Sequence, residues 1–410
     1  MSTYNSNQNN TKKNRGFIDV FLIVLVYAMS ILGIYCISIA TFNPDKGTEL
    51  SLFEYIANST SATWQTIFMA ASTVGMGAML VIPLEFYKAR ARLIYYSVLF
   101  LLVGTLVFAT AVSGVNAWLS VGWGRTIQPC EFAKISVLIM LAKILSAQEK
   151  PMGTFKDFMR VIMVVGVPAL VTLLQKETGS VIVIGVMFIV VVYFSGINQK
   201  IFWAMVTPVL LGIVGLLVYA LVSGSGDYRM MRILAFLEPE KYPQDAYQLL
   251  ESQKSIGSGG LTGIGVYVVG SMSQLDYVPE DHTDFIFAPL GEAFGFVTCA
   301  LVLLLYLALL LRLLYLAYYT HDKFGRLIIV GVMAMFFFHI FENIAMTTGL
   351  MPITGIPLPF LSYGGTNYLT NIACIALVLN VTKNRKPEPK MEGQGLQIFK
   401  PRKKRFWRKA

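Results

Sequence analysis

The chain has 410 residues, of which 55% are hydrophobic and only 14% are charged, and its mean hydropathy is +0.62. A soluble protein of this length needs more charged surface, so the composition excludes an ordinary soluble globular protein. The net charge of +10 does not indicate nucleic-acid binding, because the segment from Lys383 onward, with eleven Lys and Arg against two Glu, supplies nearly all of it. Such a tail is typical of a juxtamembrane segment that contacts anionic lipid, and recruitment of a cytoplasmic partner is the alternative.

Apolar stretches of about 20 residues recur along nearly the whole chain, each long enough to cross the hydrocarbon core as a helix. They predict an all-α, polytopic membrane protein with about ten transmembrane helices. The polar, basic N-terminus leads into a full-length span rather than a short apolar core and cleavage site, so no cleavable signal peptide is expected. The predicted spans are residues 17–41, 63–86, 92–114, 131–147, 157–174, 178–196, 199–223, 284–318, 326–349 and 363–382.

Lysines and arginines alternate along the chain in a pattern that predicts its orientation. They precede the first span and follow the second, fourth, sixth, eighth and last, so the positive-inside rule puts both termini in the cytoplasm. The chain then divides into an N-terminal tail (1–16), a membrane domain (17–383) and a basic C-terminal tail (384–410).

The outward connection at residues 224–283 is far longer than the others, and long loops are often functional. It contains the run DAYQLLESQKSIGSGGLTGIG (245–265), which has neither the G-x-G-x-x-G order nor the strand–helix context of a phosphate-binding loop. We therefore predict a turn-rich surface loop that is able to move.

Four outward segments carry polar or helix-breaking residues: 116–135, 174–180, 278–296 and 349–366. In the first, Pro129 introduces a helix that puts Glu131 and Lys134 on one face. In the last, prolines prevent regular helix and glycines permit tight turns. Non-helical backbone at membrane depth is tolerated where protein buries it or where it lines a wet cavity. Together these segments predict one extracytoplasmic cleft that contains carboxylates, a lysine and polar backbone.

Two classes of protein fit such a cleft. A transporter places its polar residues near the bilayer midplane, often in two similar halves with paired broken helices. Here the acids collect at one interface, and no convincing internal repeat is found. This one-sided arrangement favours an enzyme that acts on a lipid-linked substrate at the outer leaflet.

Four runs in the chain resemble blocks of the SEDS family (shape, elongation, division and sporulation), which comprises bacterial peptidoglycan glycosyltransferases with ten membrane helices. The runs are IQPCEFAKI, YQLLESQKSIGSGGLTGIG, PEDHTDFIFAPLGEAFGF and PITGIPLPFLSYGGT, and the resemblance extends from about residue 17 to 383. Within the family the chain looks most like RodA, the elongation enzyme, because of His339, Glu342 and Asn343. FtsW-like and SpoVE-like members, which serve division and sporulation, are the second choice.

The chain departs from the family pattern at several positions. Cys130 stands where the family usually has Ser, and Ala293 replaces the second of two usual glutamates. Lys176, Glu177 and Ser180 replace the common Pro, Asp and Thr of one outer turn. These differences bear on substrate contacts more than on the expected chemistry.

The resemblance implies an inverting polymerisation of lipid II. The 4-hydroxyl of the incoming lipid II attacks C1 of the growing chain, and undecaprenyl pyrophosphate leaves. The hydroxyl needs a base, and a carboxylate whose pKa is raised by partial desolvation is suitable. Asp284 is expected to be that base, and an interfacial acid that caps a helix N-terminus is the alternative.

The remaining candidates are expected in the cavity or in contact with substrate. Glu131 and Lys134 either form a simple ion pair, worth about 0–1 kcal/mol if exposed, or line the cavity, orienting Asp284 or meeting pyrophosphate. Glu292 falls two turns after Asp284, near the same helix face, and burial against a neighbouring helix is the alternative to a place in the cavity. The other candidates are Arg125, Gln128, Gln175, Lys176, Glu177, Thr283, Thr354, Ser362 and Tyr363, of which the last two can equally shape their loop.

The resemblance also implies a partner, a single-span class B penicillin-binding protein that cross-links the glycan. The long loop ends at Asp284, so such a partner can act on the catalytic carboxylate through it, or the loop can simply close over substrate. Carboxylates near a pyrophosphate are compatible with Mg²⁺ or Mn²⁺, but the cysteines lack CxxC spacing and the histidines are scattered, so no metal site built from them is expected. A lipid II flippase or other transporter is the rival function.

Overall fold

The computed structural model describes residues 18–46, 51–112, 115–122, 125–223 and 228–384. Within these ranges the protein is nearly all helix, with one small three-stranded sheet. The prediction of a helical membrane fold is thereby confirmed. The N-terminal tail (1–16) and all but the first residue of the C-terminal tail (384–410) lie outside the described residues.

A long helix occupies each of the ten predicted spans, and six of the ten are long and apolar enough to cross a membrane by themselves. These six are α1 (Val20–Ala40), α3 (Thr60–Val81), α4 (Leu84–Phe108), α6 (Phe155–Leu174), α11 (Phe287–Tyr318) and α12 (Lys323–Thr347). The other four are α5 (Pro129–Ser146), α7 (Thr178–Phe194), α8 (Gln199–Ser223) and α13 (Gly365–Lys383). Ten membrane crossings therefore remain a prediction.

The predicted ends of the second and third spans are wrong. Pro83 stands between α3 and α4 and lacks the N–H that a continuous helix needs, so the chain turns there. Helix α4 ends at Phe108, where the third span was expected to continue to residue 114. An antiparallel sheet follows, made of β1 (Thr110–Val112), β2 (Val115–Gly122) and β3 (Arg125–Ile127). The predicted span included residues 109–114 because they continue an apolar run, but β-branched residues such as Thr110 and Val112 favour strand.

Helix α12 lies at the centre of the helices and is the most enclosed of the six apolar ones. It packs against α5, α7, α11 and α13, and Gly331 lets the Leu138 side chain of α5 approach its backbone closely. Because lipid is as apolar as a core, hydrophobic residues alone do not mark the interior of such a protein. The fully buried polar residues of α12, among them His339 and Asn343, mark it instead.

The long loop is more ordered than predicted. It contains α9 (Tyr228–Leu237) and α10 (Pro243–Ser258), so most of the run predicted as turns is helix. The glycine-rich remainder lies on α11, which is interrupted at Gly295, where φ is +73°. Backbone N–H groups of Ile264 and Phe296 donate across this contact to the carbonyls of Glu292 (3.0 Å) and Gly260 (2.9 Å).

Side chains fix the loop at two further points. The carboxylate of Glu292, on α11, accepts hydrogen bonds from the backbone N–H groups of Met272 (2.7 Å) and Ser273 (3.0 Å). The Tyr267 ring stacks on Tyr55 of the short helix α2 (Leu52–Asn58), with 3.7 Å between centroids, and its hydroxyl lies 2.8 Å from that of Ser38 on α1. The loop is therefore anchored to three helices, and the prediction of a turn-rich loop is wrong for residues 243–258, which are helix.

Two glycines with nearly the same positive φ provide a test of this anchoring. Gly263 (φ +85°) lies directly against the Ala293 carbonyl, whereas Gly270 (φ +87°) has open space around its Cα. Alanine at either position adds about 1–2 kcal/mol of left-handed strain, but Gly263→Ala adds an overpacking cost of about 1–3 kcal/mol. We expect Gly263→Ala to unfold at a lower temperature than Gly270→Ala, and to be cleaved faster within the loop by added protease. Equal behaviour of the two variants would contradict the docking of this segment.

Candidate active site

Asp284 lies in a turn just before α11, which begins three residues after the predicted start of the eighth span. The side chain is half-buried, and its Oδ2 lies close to Gly355 (φ +76°). A Cβ at position 355 would lie only 3.2 Å from this oxygen. The amide of Asn343 on α12 donates to the carbonyls of both Asp284 (2.6 Å) and Ile356 (2.7 Å). One buried side chain thus holds the turn and the proline-rich segment 352–364 together around the carboxyl.

The surroundings of Asp284 disfavour its charged form. Burial, and secondly the charge of Glu280, raise the pKa of Asp284 to about 7, although the charges of Arg232 and His282 oppose the shift. Arg232, on α9, is held near this site by a hydrogen bond from its guanidinium to the Ile353 carbonyl (3.1 Å). A carboxyl with a pKa close to neutral is able to accept a proton and release it again at physiological pH.

Glu177 lies in the tight turn between α6 and α7, as the sequence predicted for this segment. Its neighbour Lys176 has a φ of +66° and is exposed, which directs the glutamate rather than the lysine inward. Burial raises the pKa of Glu177 to about 7, with further contributions from the charges of Glu131 and Asp284, while Lys134 opposes them. Glu177 therefore lies electrostatically between Asp284 and the ion pair of α5.

Glu131 and Lys134 form a buried ion pair, with 2.7 Å between Lys134 Nζ and Glu131 Oε1. Pro129 starts α5, so both side chains lie in its first two turns, and they are only 3% and 1% exposed. Asn367 of α13 donates to the second Glu131 oxygen (3.1 Å), and Lys134 Nζ lies 3.4 Å from His339 Nε2 of α12. The pair joins three helices and is not the weak surface salt bridge that the sequence left open.

Arg125 connects the small sheet to the same site. Its guanidinium lies 3.9 Å from the centre of the Trp64 ring and donates to the Tyr363 hydroxyl (3.1 Å). The backbone N–H of Tyr363 in turn donates to the His282 carbonyl (2.9 Å), two residues before Asp284. A cation fixed on an aromatic ring is thus attached to the turn that carries the candidate base.

Several predicted residues have structural roles instead. Glu292 is wrong as a cavity residue, because its carboxylate is used by the loop at residues 272–273. The Gln175 amide donates to the Leu102 carbonyl (2.8 Å) and so ties α6 to α4. The Ser362 hydroxyl accepts from the Leu358 N–H (2.8 Å) and shapes its own loop.

Three other candidates lie at the border of the site. Gln128 donates its backbone N–H to the Thr366 hydroxyl (3.2 Å), and the Thr283 hydroxyl donates to Glu280 (3.1 Å). The hydroxyl of Thr354 is buried and has no hydrogen-bond partner among the described residues. These residues shape the border, and the Thr354 hydroxyl is a donor whose hydrogen bond is not used within the described residues.

Glu342 was not recognised as a site residue from the sequence. It is completely buried on α12, both carboxyl oxygens lack hydrogen-bond partners within the described part of the chain, and it is close enough to Asp284 for their charges to interact. An acid inside an apolar span is a default functional hypothesis, and that signal could have identified it. Nothing local in the sequence indicates that Arg232 returns to this site from the long loop.

The carboxyls of the site do not form a metal centre of their own. In the described ranges, no three His, Cys, Asp or Glu side chains come together as a ligand set. Hard cations such as Mg²⁺ take several oxygen ligands and often share them with substrate phosphates. The residues present therefore do not supply a complete cation site.

Comparisons with known proteins match almost the whole chain. A family model described as cell cycle protein, covering FtsW, RodA and SpoVE, matches residues 17–387. The peptidoglycan glycosyltransferase MrdB of Escherichia coli is 33% identical over 335 residues, which are 80% of this chain and 89% of MrdB. The rod shape determining protein RodA of Thermus thermophilus has a TM-score of 0.64 and 25% identity, covering 90% of this chain and 98% of RodA. A chain from a peptidoglycan synthase complex, whose structure addresses polymerization and crosslinking, has a TM-score of 0.74 and 27% identity. The match covers 90% of this chain and 99% of that chain.

The buried ion pair predicts an asymmetry between single and double substitution. Lys134→Met leaves Glu131 charged and unpaired, so we expect the free energy of unfolding to fall by about 3–5 kcal/mol. Adding Glu131→Gln removes the stranded charge and keeps an acceptor for Asn367, so the double variant should recover most of the loss. Thermal unfolding of the purified proteins in the same detergent checks this order. A double variant as unstable as Lys134→Met would contradict a paired, charged state.

Proposed function

Because this chain belongs to the family of cell cycle proteins that includes FtsW, RodA and SpoVE, we propose that it is a peptidoglycan glycosyltransferase. It polymerises lipid II into β-1,4 glycan strands at the outer face of the cytoplasmic membrane. The name of its relative MrdB supports the reaction. The observation that carries the proposal is the Asp284 carboxyl, which lies half-buried on an anchored turn with its pKa raised to about 7.

The chemistry is a one-step displacement. Asp284 accepts the proton of the 4-hydroxyl of the incoming lipid II as that oxygen forms a bond to C1 of the growing chain. The bond from C1 to the pyrophosphate oxygen breaks, and undecaprenyl pyrophosphate leaves with the electron pair. Because attack and departure take place on opposite faces, an α-linked donor gives a β-linked product. The protein therefore needs one base, a fixed acceptor geometry and positive charge at the leaving group.

The positive charge comes from Arg125 rather than Lys134 in this proposal. Lys134 is almost fully buried and paired with Glu131, so its charge is already compensated. Arg125 is half-buried and held on Trp64, and its Nε has no hydrogen-bond partner within the described residues. A planar guanidinium is well suited to two phosphate oxygens at once. Glu131 and Lys134 instead position Glu177 and α12 around the site.

We assign the chain to cell elongation, with a class B penicillin-binding protein as its cross-linking partner. The similarity to MrdB and to a solved RodA supports elongation, and a related chain solved in a peptidoglycan synthase complex supports a partner. Division and sporulation are the alternative roles. Both termini face the cytoplasm, and the site containing Asp284 faces outward, where the strands are needed.

Asp284→Asn provides the direct test of the reaction. The substitution keeps the size of the side chain and its hydrogen bonding but removes the base, which typically contributes about 10²–10⁴-fold. We expect purified wild-type protein to form glycan polymer from lipid II, and the variant to lose that activity by this factor, with and without a class B penicillin-binding protein. A variant that polymerises at the wild-type rate would exclude Asp284 as the base. Movement of lipid II across vesicles without any glycan product would favour a flippase.

The pH dependence tests the raised pKa. Polymerisation should increase with pH up to about 7, because only ionised Asp284 accepts a proton. Glu280→Gln removes a charge that raises this pKa, so the acid limb should move to lower pH, whereas Arg232→Gln should move it upward. Glu240→Gln is the matched control, since Glu240 is an exposed carboxylate of the same loop and is not among the charges that shift Asp284. An acid limb that stays in place in Glu280→Gln would contradict the assignment.

The same shift has a consequence for stability. Between about pH 4, where an unfolded Asp ionises, and pH 7, the folded state binds more protons at Asp284 than the unfolded state, so stability falls as pH rises. Asp284→Asn removes this loss of stability, because asparagine does not ionise. We expect the variant to unfold at a higher temperature than wild type at pH 8, with the difference shrinking towards pH 4.

A further inference from the structure

A cavity lies at the other end of α5 from the ion pair. With a volume of about 710 Å³, it opens between α4, α5 and α6, and its lining extends from Met140 on α5 to Gln148, just beyond the end of that helix. At 1.5 Å per residue, Lys143 is about 13 Å from Lys134 along the helix. The cavity is therefore separate from the Asp284 site and lies on the side predicted to face the cytoplasm.

The lining changes from charged to apolar along the helices. Arg92 of α4, Lys143 of α5 and Arg160 of α6 supply one cation from each helix. Seven residues further into the membrane, Leu99 and Val167 replace the arginines of their helices in the lining. Seven residues correspond to about 10 Å. The cavity thus has a cationic mouth and an apolar interior.

The positive charge at the mouth is only weakly compensated. Among the described residues, no carboxylate lies within 4 Å of Arg92 or Lys143, and Lys143 donates to the Ala89 carbonyl (3.1 Å). Arg160 meets Asp157 at 3.7 Å, in an ion pair whose arginine is 52% exposed. Exposed pairs of this kind contribute about 0–1 kcal/mol. Three cations therefore converge on one opening with a single weakly held acid.

A hydrogen bond fixes the interior of the cavity. The buried Tyr95 of α4 donates its hydroxyl to the Val164 carbonyl of α6 (3.1 Å), so the two walls are joined. On the outer side, Tyr96 and Met163 line the cavity and are 60% and 55% exposed. In a membrane that exposed side faces lipid, so the bilayer has access to the opening.

We propose that this cavity binds an anionic diacyl phospholipid from the surrounding bilayer. The headgroup phosphate lies among Arg92, Lys143 and Arg160, and an acyl chain extends inward past Leu99 and Val167. Basic pockets between helices on the cytoplasmic side bind anionic headgroups, and the apolar interior accepts an acyl chain by van der Waals packing, because lipid and protein interiors are equally apolar. A free phosphate ion would use only the mouth, whereas the phospholipid complements both parts of the cavity.

The test compares two lipids that differ only in headgroup. The full chain, purified in a neutral detergent, is titrated with phosphatidylglycerol or phosphatidylcholine of identical acyl chains, and retained lipid is counted by native mass spectrometry. We expect phosphatidylglycerol to be retained preferentially. The triple variant Arg92→Gln, Lys143→Gln, Arg160→Gln should lose about tenfold or more of that retention. Thermal unfolding checks that the triple variant is folded. If it is not, the double variant Arg92→Gln, Arg160→Gln is tested in its place.

A matched control removes as many charges from the same side. Lys150→Gln, Lys156→Gln, Lys200→Gln alters three cations outside the cavity, and we expect it to retain phosphatidylglycerol as wild type does. Equal loss in both triple variants would overturn the proposal in favour of diffuse attraction to the surface.

A substitution in the interior distinguishes the lipid from a phosphate ion. Val167→Trp fills the apolar part without changing charge, so it should reduce retention of phosphatidylglycerol. Excess glycerol 3-phosphate should fail to displace the lipid from wild-type protein. Unchanged retention in Val167→Trp, or displacement by glycerol 3-phosphate, would mean that only the mouth binds and would overturn the proposal.

Discussion

Burying a charge among membrane helices costs several kcal/mol unless an opposite charge and further hydrogen bonds surround it. Glu131 and Lys134 meet this requirement only because α12 supplies His339 and α13 supplies Asn367. Since lipid and core are equally apolar, hydrophobic contacts do not by themselves fix which faces of these helices meet. The ion pair does so, because any other rotation of α12 or α13 would leave its charges without their neighbours.

The geometry around Asp284 follows from that arrangement. With His339 facing the ion pair, Asn343 lies one turn further along α12, where it holds the carbonyls of Asp284 and Ile356. Glu342 lies beside it and faces the same acid. From the opposite side, the loop is pinned to α11 by Glu292 and by backbone hydrogen bonds. The candidate base is therefore positioned from two directions. One is α12, whose rotation is fixed by the buried ion pair, and the other is the loop, which is bound to α11.

Features that depend on neighbouring residues in the chain were predicted from the sequence, whereas features that depend on contacts between distant residues were not. The helices, the start of α5 at Pro129 and the non-helical segment after α12 follow from local properties such as apolar length, proline and glycine. The sheet did not follow from them, because its first residues are apolar enough to lengthen the predicted third span, although β-branched residues favour strand over helix. Glu292 was misplaced because helical spacing from Asp284 assumed one helix, whereas Asp284 lies in a turn and α11 begins only at Phe287. Arg232 depends on a contact between distant segments, which no local pattern contains, whereas Glu342 carries a local signal, an acid inside an apolar span, that was not used.

The break at Gly295 divides α11 into two parts with different neighbours. The loop is bound on both sides of the break, to Glu292 before it and to Phe296 after it, and beyond this clamp the longer part has many side chains exposed to lipid. Long membrane helices adapt to bilayers of different thickness by tilting. An unbroken helix would transmit such a tilt directly to the acid at its end. With an interruption inside the clamp, the backbone at Gly295 allows the lipid-facing part to follow the thickness of the bilayer, while the loop holds the part at the site in place.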